Sequence, residues 1–285
     1  VAVVDRCHFG QAAAACNVSQ STLSAGIQEL EDLLGAPLLE RTKRSVVPTA
    51  LERDLADRSR ELLKGAEELM DVAQAAREPM AGPLHLGVIP TIGPFLLPRA
   101  LPKLRETFPK LQLYLREDQT ARLLERLDAG ELDAVLLALP YALGDLDVMD
   151  LGEDRFSVVY PADHGLPAAG AATPTDIASE NLLLLEDGHC LRDQALAACE
   201  LESARRNTAF NGTSLHTLAQ MVANGLGVTL MPQMALDAGI VRGLDVAVRP
   251  MVEGTSHRRI GLAWRRTSAR RETFRQLGEA LRPFL

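Results

Sequence analysis

Glu186-Asp187-Gly188-His189-Cys190-Leu191-Arg192-Asp193-Gln194 holds a thiol beside an imidazole, and a second thiol, Cys199, follows nine residues after the first. Glu186-Asp187-Gly188 is a turn signal. From Cys190 onward, Leu191, Ala195, Ala198 and Leu201/Ala204 recur at helical spacing, so Cys190 is predicted at a helix N-terminus. The positive end of the helix dipole, a cationic neighbour such as His189 or Arg192 and hydrogen-bond donors each lower a thiol pKa. The thiolate is the nucleophile, so this pattern suits a reactive cysteine. In a continuous helix Cys199 would lie roughly 13 Å farther along the axis, at about 1.5 Å per residue. A disulfide needs Cα atoms within about 7 Å. The two thiols therefore bridge only if the segment is rebuilt, which would turn a redox event into a shape change. The alternative is two small apolar residues buried on a core helix, the usual state of free cysteine. The stretch by itself leaves both readings open.

Two hydroxyls stand where predicted strands hand over to helices. Thr91 follows Leu86-Gly87-Val88-Ile89-Pro90, and Thr120 follows Arg116-Glu117-Asp118-Gln119. In open α/β sheets this rim is where small polar ligands meet helix N-termini. Both threonines are equally at home as N-caps. Arg258 lies in a run, His257-Arg258-Arg259, that reads as a solvated basic stretch or as a contributor to the same rim.

The elements that must position these residues alternate from Leu84 onward. The patterning predicts strands at Leu84–Ile89, Leu111–Arg116, Asp133–Leu137, Phe156–Tyr160, Leu182–Leu185, Val228–Met231 and Arg259–Trp264. Helices are predicted at Gly93–Thr107, Thr120–Ala129, Cys190–Ala204, Ser214–Asn224 and Ser268–Leu281. This alternation implies an α/β fold with a mainly parallel sheet. Gly225-Leu226-Gly227 lacks a third glycine and precedes a strand, so a nucleotide fold is disfavoured.

Residues 1–48 read as short helices followed by a wing. Ser19 is a predicted N-cap, and Leu23, Ile27, Leu30 and Leu34 form one apolar stripe expected to be buried. Ser19, Gln20, Thr22, Ser24 and Gln28 fall off that stripe, where a recognition helix meets base edges and phosphates. Arg41-Thr42-Lys43-Arg44 makes a basic loop, with Arg41 and Arg44 placed to touch the DNA backbone. A small helical packing module with a solvated basic loop is the competing reading. Residues 49–77 continue as a long helix in which Leu55, Leu62, Leu69 and Ala76 recur every seven, with Ser59, Ala66 and Ala73 interleaved. That spacing is a coiled-coil seam, or else the apolar face of an isolated helix. Glu78-Pro79-Met80-Ala81-Gly82-Pro83 ends it in a linker.

Composition bounds the function. The chain has 285 residues, 47 % of them hydrophobic, and a formal charge of −8, so DNA contact must come from a local patch. Residues 1–50 carry four basic against five acidic side chains, and no Lys or Arg lies between Ser19 and Glu31. One such module is expected to bind DNA weakly, because phosphate neutralisation supplies much of the affinity. Linked copies would raise it. Four cysteines without a paired metal spacing point to a reducing compartment, and Cys7-His8 with Cys16 lacks a fourth metal ligand. No apolar run approaches the ~18 residues of a membrane span, so a cytoplasmic protein without a membrane partner is expected.

Several stretches carry a resemblance to a known family. EDGHCLRDQ with a second Cys at this distance, LHLGVIPTIGPFLLP (84–98), FPKLQLYLREDQT (108–120) and AAAACNVSQSTLSAGIQELEDLLGAPLLERT resemble the OxyR-type, hydrogen-peroxide-sensing branch of the LysR-type transcriptional regulators. The similarity extends over nearly the whole chain. It implies a winged helix-turn-helix DNA-binding domain at 1–48 and a linker/dimerisation helix at 49–78. A regulatory domain at 84–285 would follow, with two subdomains of the periplasmic-binding-protein kind. The first would comprise 84–153 and 260–285, the second 154–259. Val1 falls in mid-pattern, so a short piece of the first helix is expected to precede it. Glu52 stands where the family commonly has Gly.

The resemblance also assigns roles. Peroxide would oxidise Cys190 to a sulfenic acid, and Cys199 would resolve it as a disulfide. His189, Arg192 and Asp193 would tune charge and position. Thr91 and Thr120 match positions that line the peroxide pocket, and Arg258 matches an arginine near it. A cellular thiol reductant would reset the switch without a cofactor. Double-stranded DNA, a second copy in a homodimer or homotetramer, and RNA polymerase are the implied partners. Two rivals remain: a LysR-type regulator with an organic inducer in its cleft and inert cysteines, and a thiol peroxidase carrying a helical domain. The first predicts a response that survives Cys190→Ser, the second multiple turnovers with a reductant.

Overall fold

The computed structural model describes residues 1–41, 46–75, 78–165, 170–198, 212–252 and 257–285. For 40–41, 46–48, 67–75, 195 and 198 it describes the backbone alone. The chain forms two compact units, Val1–Met70 and Asp71–Leu285.

In the first unit α1 (Ala2–Arg6), α2 (Phe9–Ala15) and α3 (Gln20–Leu34) precede a hairpin of β1 (Leu39–Arg41) and β2 (Val46–Pro48), then α4 (Ala50–Ala75). Ser19 caps α3 by accepting from the Thr22 N–H at 3.1 Å, and Gly35 ends it at φ 66°, a left-handed conformation that costs glycine little. Glu31 fixes the hairpin to α3, its Oε1 accepting from the Leu38 and Leu39 N–H groups at 2.8 and 3.2 Å. Val3, Ala12, Leu38 and Leu39 form the core, with Leu23, Ile27 and Leu55 packed on it. The expected stripe is thus only partly buried, and only at its N-terminal end, through Leu23 and Ile27. Leu30 and Leu34 are exposed, because this small core does not reach the last turns of α3. Glu52 is buried on α4 with one carboxylate oxygen lacking a hydrogen-bond partner, and burial pushes its pKa up.

The second unit contains, in order, β3 (Gly82–Val88), α5 (Gly93–Thr107), β4 (Leu111–Glu117), α6 (Thr120–Asp128), β5 (Ala134–Leu139) and β6 (Leu146–Pro161). Then follow α7 (Pro174–Ala178), α8 (Cys190–Ala198), α9 (Leu215–Ala223), β7 (Thr229–Pro232), α10 (Gln233–Asp237), β8 (Val246–Pro250), β9 (His257–Arg265) and α11 (Arg271–Leu281). The strands run β4-β3-β5-β9-β6-β7, with β8 also paired to β6. Among the described strand pairs, β3–β4 and β3–β5 are the parallel ones. The pairs β5–β9, β9–β6, β6–β7 and β6–β8 are antiparallel. The α/β class is as expected, but the mainly parallel sheet is corrected to a mixed one. The difference lies in β6, a long strand whose first ten residues pair with β9 and whose end pairs with β7 and β8.

Burial explains the centre of the sheet. Ala134 to Ala138 on β5 are fully buried, a continuous apolar run that suits a strand covered on both faces. The run Leu182–Leu185 is also largely buried, yet it is not the predicted strand. It makes isolated bridges to two separate partners, Val228 and Gly212, so no ladder propagates. Gly227 permits that approach: a Cβ there would stand 2.1 Å from the Asn181 carbonyl oxygen. Among the described residues no helix is long and apolar enough to cross a membrane, and no cluster of potential metal ligands occurs.

Candidate functional site

Cys190 is the first residue of α8, half-buried and unbridged. The turn before it depends on Gly188, which takes φ 96° and lies so close to Gln119 that a Cβ would stand 2.8 Å from the Gln119 Oε1. The turn is closed by the His189 N–H donating to the Glu186 carbonyl at 3.4 Å, and the helix begins with the Arg192 N–H donating to the His189 carbonyl at 3.0 Å. Leu191 and Leu196 are buried and anchor α8. Ala195 and Ala198, expected to do so, have side chains outside the described residues. So does Cys199, with the rest of the predicted helix to Ala204.

The Thr120 hydroxyl donates to the Cys190 Sγ at 3.6 Å. A donor to sulfur favours the thiolate. Thr120 is the first residue of α6 rather than its cap, and the cap of α5 is Ile92 rather than Thr91, so neither threonine serves as an N-cap. Thr91 is held by Arg258, whose Nη1 donates to the Thr91 Oγ1 at 2.8 Å and whose Nη2 donates to the Thr91 carbonyl at 2.9 Å. The Arg258 Nε donates to the Asp154 Oδ2 at 3.0 Å, and both side chains are buried. The Asp154 Oδ1 accepts from the Met234 N–H at 3.0 Å.

Ile89, Pro90, Thr91, Gln119, Thr120, Gly188, His189 and Cys190 line one cavity. The space open to the centre of a water molecule is about 10 Å³, close to what one water-sized solute occupies. Organic ligands of drug size occupy pockets of several hundred Å³. The site therefore suits a solute of a few atoms, held between a thiol and two hydroxyls.

Of the residues singled out in the sequence, Thr91, Thr120, His189 and Cys190 meet at this cavity. Arg192, Asp193 and Arg258 do not line it. Arg192 pairs with Asp187 on the preceding turn, and Asp193 is exposed. His189 is not the cationic neighbour expected. It is buried, desolvation pushes its pKa down, and the Glu186 carboxylate 3.9 Å away opposes this only in part. The imidazole is therefore mainly neutral at pH 7. Gln119 was missed although it adjoins Thr120. Asp154 was missed because an isolated acid within a strand carries no local signal.

On the first unit Ser19, Gln20, Thr22 and Gln28 are exposed along α3, and Ser24 is half-buried. The Ser19 hydroxyl is committed to the cap and to the Ser21 and Thr22 hydroxyls. The Arg41 side chain and Arg44 lie outside the described residues.

Residues 1–51 match the bacterial regulatory helix-turn-helix protein, lysR family, and residues 77–285 match the LysR substrate binding domain. The DNA-binding transcriptional dual regulator OxyR of Escherichia coli strain K12 is 44 % identical over 282 residues, 99 % of this chain and 92 % of that protein. A full-length OxyR variant from Pseudomonas aeruginosa is similar in structure, with a TM-score of 0.78 and 36 % identity over 99 % of this chain and 91 % of that one. A hydrogen-peroxide-bound OxyR mutant from Corynebacterium glutamicum gives a TM-score of 0.71 and 33 % identity over 99 % and 89 %. Both halves match and the likeness runs from end to end, so the chain belongs to the LysR family of bacterial helix-turn-helix transcriptional regulators.

Proposed function

We propose that this chain is a hydrogen-peroxide-responsive, DNA-binding transcriptional regulator whose sensor is Cys190. One observation carries the reading: a helix-N-terminal thiol with a hydroxyl donor stands in a cavity sized for a solute of a few atoms. The organic-inducer reading needs a larger space beside these residues, and the peroxidase reading gives no role to the helix-turn-helix.

The chemistry needs only the chain, peroxide and thiols. The Cys190 thiolate attacks one peroxide oxygen, the O–O bond breaks, and the departing hydroxide takes a proton and leaves as water. Cys190 is then a sulfenic acid. The Cys199 sulfur attacks it, an S–S bond forms, and a second water leaves. A cellular dithiol reductant returns both thiols by exchange. Thr120 favours the thiolate, while Thr91 places a hydroxyl on the opposite wall. His189 adds a neutral polar group, and Arg192 and Asp193 steady the first turn of α8.

Residues 1–48 bind double-stranded DNA through the exposed face of α3 and the Arg41–Arg44 loop. The helix over 49–78 joins two copies, and 84–285 senses in two subdomains, 84–153 with 260–285 and 154–259. The assembly is a homodimer or homotetramer that works with RNA polymerase in the cytoplasm. The test is alkylation followed by mass analysis before and after one equivalent of peroxide. Cys190 and Cys199 should lose reactivity together while Cys7 and Cys16 remain labelled, and Cys190→Ser should abolish both the pairing and the change in DNA binding. A DNA response that survives Cys190→Ser would reject this reading in favour of an organic inducer.

A further inference from the structure

Arg258 is fully buried, and its guanidinium carries donors only. The Thr91 oxygen must therefore accept the bond from Nη1, which leaves the hydroxyl its one proton to donate. Among the described residues no acceptor is recorded for that proton, and Thr91 lines the cavity beside Cys190. Thr120 has the opposite polarity. It spends its proton on the Cys190 sulfur, so its oxygen can meet a solute in the cavity only as an acceptor. The two walls thus offer one donor and one acceptor to a molecule lying between them.

What fixes this polarity is the carboxylate behind Arg258. Asp154 and Arg258 stand directly opposite each other on β6 and β9. Oδ2 of Asp154 accepts from Nε at 3.0 Å and stands 2.9 Å from Nη2 in an ion pair, which sets the plane of the guanidinium. Oδ1 is held in turn by the Met234 N–H, so the carboxylate cannot swing. Neutralising the buried guanidinium also limits the positive potential that reaches the thiol. We propose that Asp154 is a positioning residue for the peroxide reaction: through Arg258 it locks the Thr91 hydroxyl as the hydrogen-bond donor to the departing oxygen. This rests on the reading of Cys190 as the peroxide-reactive thiol.

The role predicts a split between two reactions of the same sulfur. Peroxide cleavage puts negative charge on a departing oxygen and needs the Thr91 donor. Alkylation by iodoacetamide expels iodide and does not. In the full-length reduced protein, Asp154→Asn should slow peroxide oxidation of Cys190 by about tenfold to a hundredfold, less than the roughly hundredfold to thousandfold cost of removing an oriented donor outright, because the hydroxyl is misplaced rather than deleted. Its iodoacetamide rate should stay within about twofold of wild type or rise. Thr91→Val should show the same split, and the double variant should lose no more than either single one, because both changes remove one function. Asp154→Leu with Arg258→Met replaces the buried pair by apolar groups of similar size and keeps the fold testable if Asp154→Asn unfolds. It should show the same selective loss.

Equal slowing of both reactions, additive losses in the double variant, or unchanged peroxide kinetics in Asp154→Leu with Arg258→Met would each overturn the proposal. Wild-type Cys190 that alkylates but ignores peroxide would instead reject the sensor reading itself, and the proposal would fall with it.

Discussion

His189 is the group at the site whose ordinary pKa lies nearest neutrality, and its burial gives the sign of a pH effect. Its folded pKa lies below the usual 6.5, so below that pH the unfolded chain binds more protons than the folded one. Stability present at pH 7 and above is therefore lost as pH falls through 6.5 toward the lowered value. Hydrogen-exchange protection across 186–198, corrected for the intrinsic rate at each pH, should fall from pH 7.5 to pH 5.5 by a larger factor in wild type than in His189→Asn; equal factors would remove His189 from the linkage. Thr120→Val removes the donor to sulfur and should slow peroxide oxidation of Cys190 at pH 7 by about fivefold to tenfold, the loss of one hydrogen bond at the reacting sulfur. An unchanged rate would leave the 3.6 Å contact without effect on the reaction. The positions of Cys190, Thr91 and Thr120 at element starts were legible in sequence, but their local signal left packing and capping open, and it was the family resemblance that grouped them at one site. The neutrality of His189 was not legible, since it depends on what packs over the ring. Asp154 was hidden for a related reason: its partners Arg258 and Met234 are 104 and 80 residues away.

At the scale of elements, α8 carries a built-in weakness. Gln194, one turn beyond Cys190, is buried with its amide oxygen unpartnered among the described residues, while its nitrogen makes a long 3.5 Å bond to the Pro140 carbonyl. A buried unsatisfied polar atom costs about 1–3 kcal/mol. That cost falls on the packed, reduced arrangement and would be relieved when the helix leaves its site. Gln194→Met keeps the volume and removes the orphan, so it should raise protection of 188–198 in the reduced protein and slow disulfide formation after peroxide. Faster disulfide formation in Gln194→Met would contradict a cost stored in α8. Helices such as α5 and α6 were read to within a residue because proline and the change of period mark their ends. The first half of β6, Leu-Asp-Val-Met-Asp-Leu-Gly-Glu-Asp-Arg, was missed, since its acids break the apolar pattern of a strand. Its antiparallel pairing with β9 lies across more than a hundred residues and could not be seen locally.

For the whole molecule, affinity for DNA must be reconciled with an acidic chain. α3 exposes no Lys or Arg, and the first fifty residues have no net positive charge. A single unit then has few cations with which to displace counterions. On α4, Leu62 is 78 % exposed and Leu63 55 % exposed on a helix otherwise rich in charge. Such residues are stably accommodated when a second copy covers them, and the heptad spacing of Leu55, Leu62 and Leu69 supplies the geometry. The seven-residue repeat is written in the chain, whereas the exposure of Leu30 and Leu34 depends on how small the adjoining core is. Leu62→Glu would bring two like charges together in that seam, each desolvated at a cost of several kcal/mol. The variant should sediment as a smaller species than wild type. Its DNA binding should weaken, and its dependence on log salt should fall to about half the wild-type slope, because one unit rather than two neutralises phosphates. An Arg44→Ala change in an intact dimer should lower the slope by only about one unit per arginine lost. If Leu62→Glu sediments as wild type and keeps the full slope, the copies are joined through another surface and α4 is only the support on which each DNA-binding unit is carried.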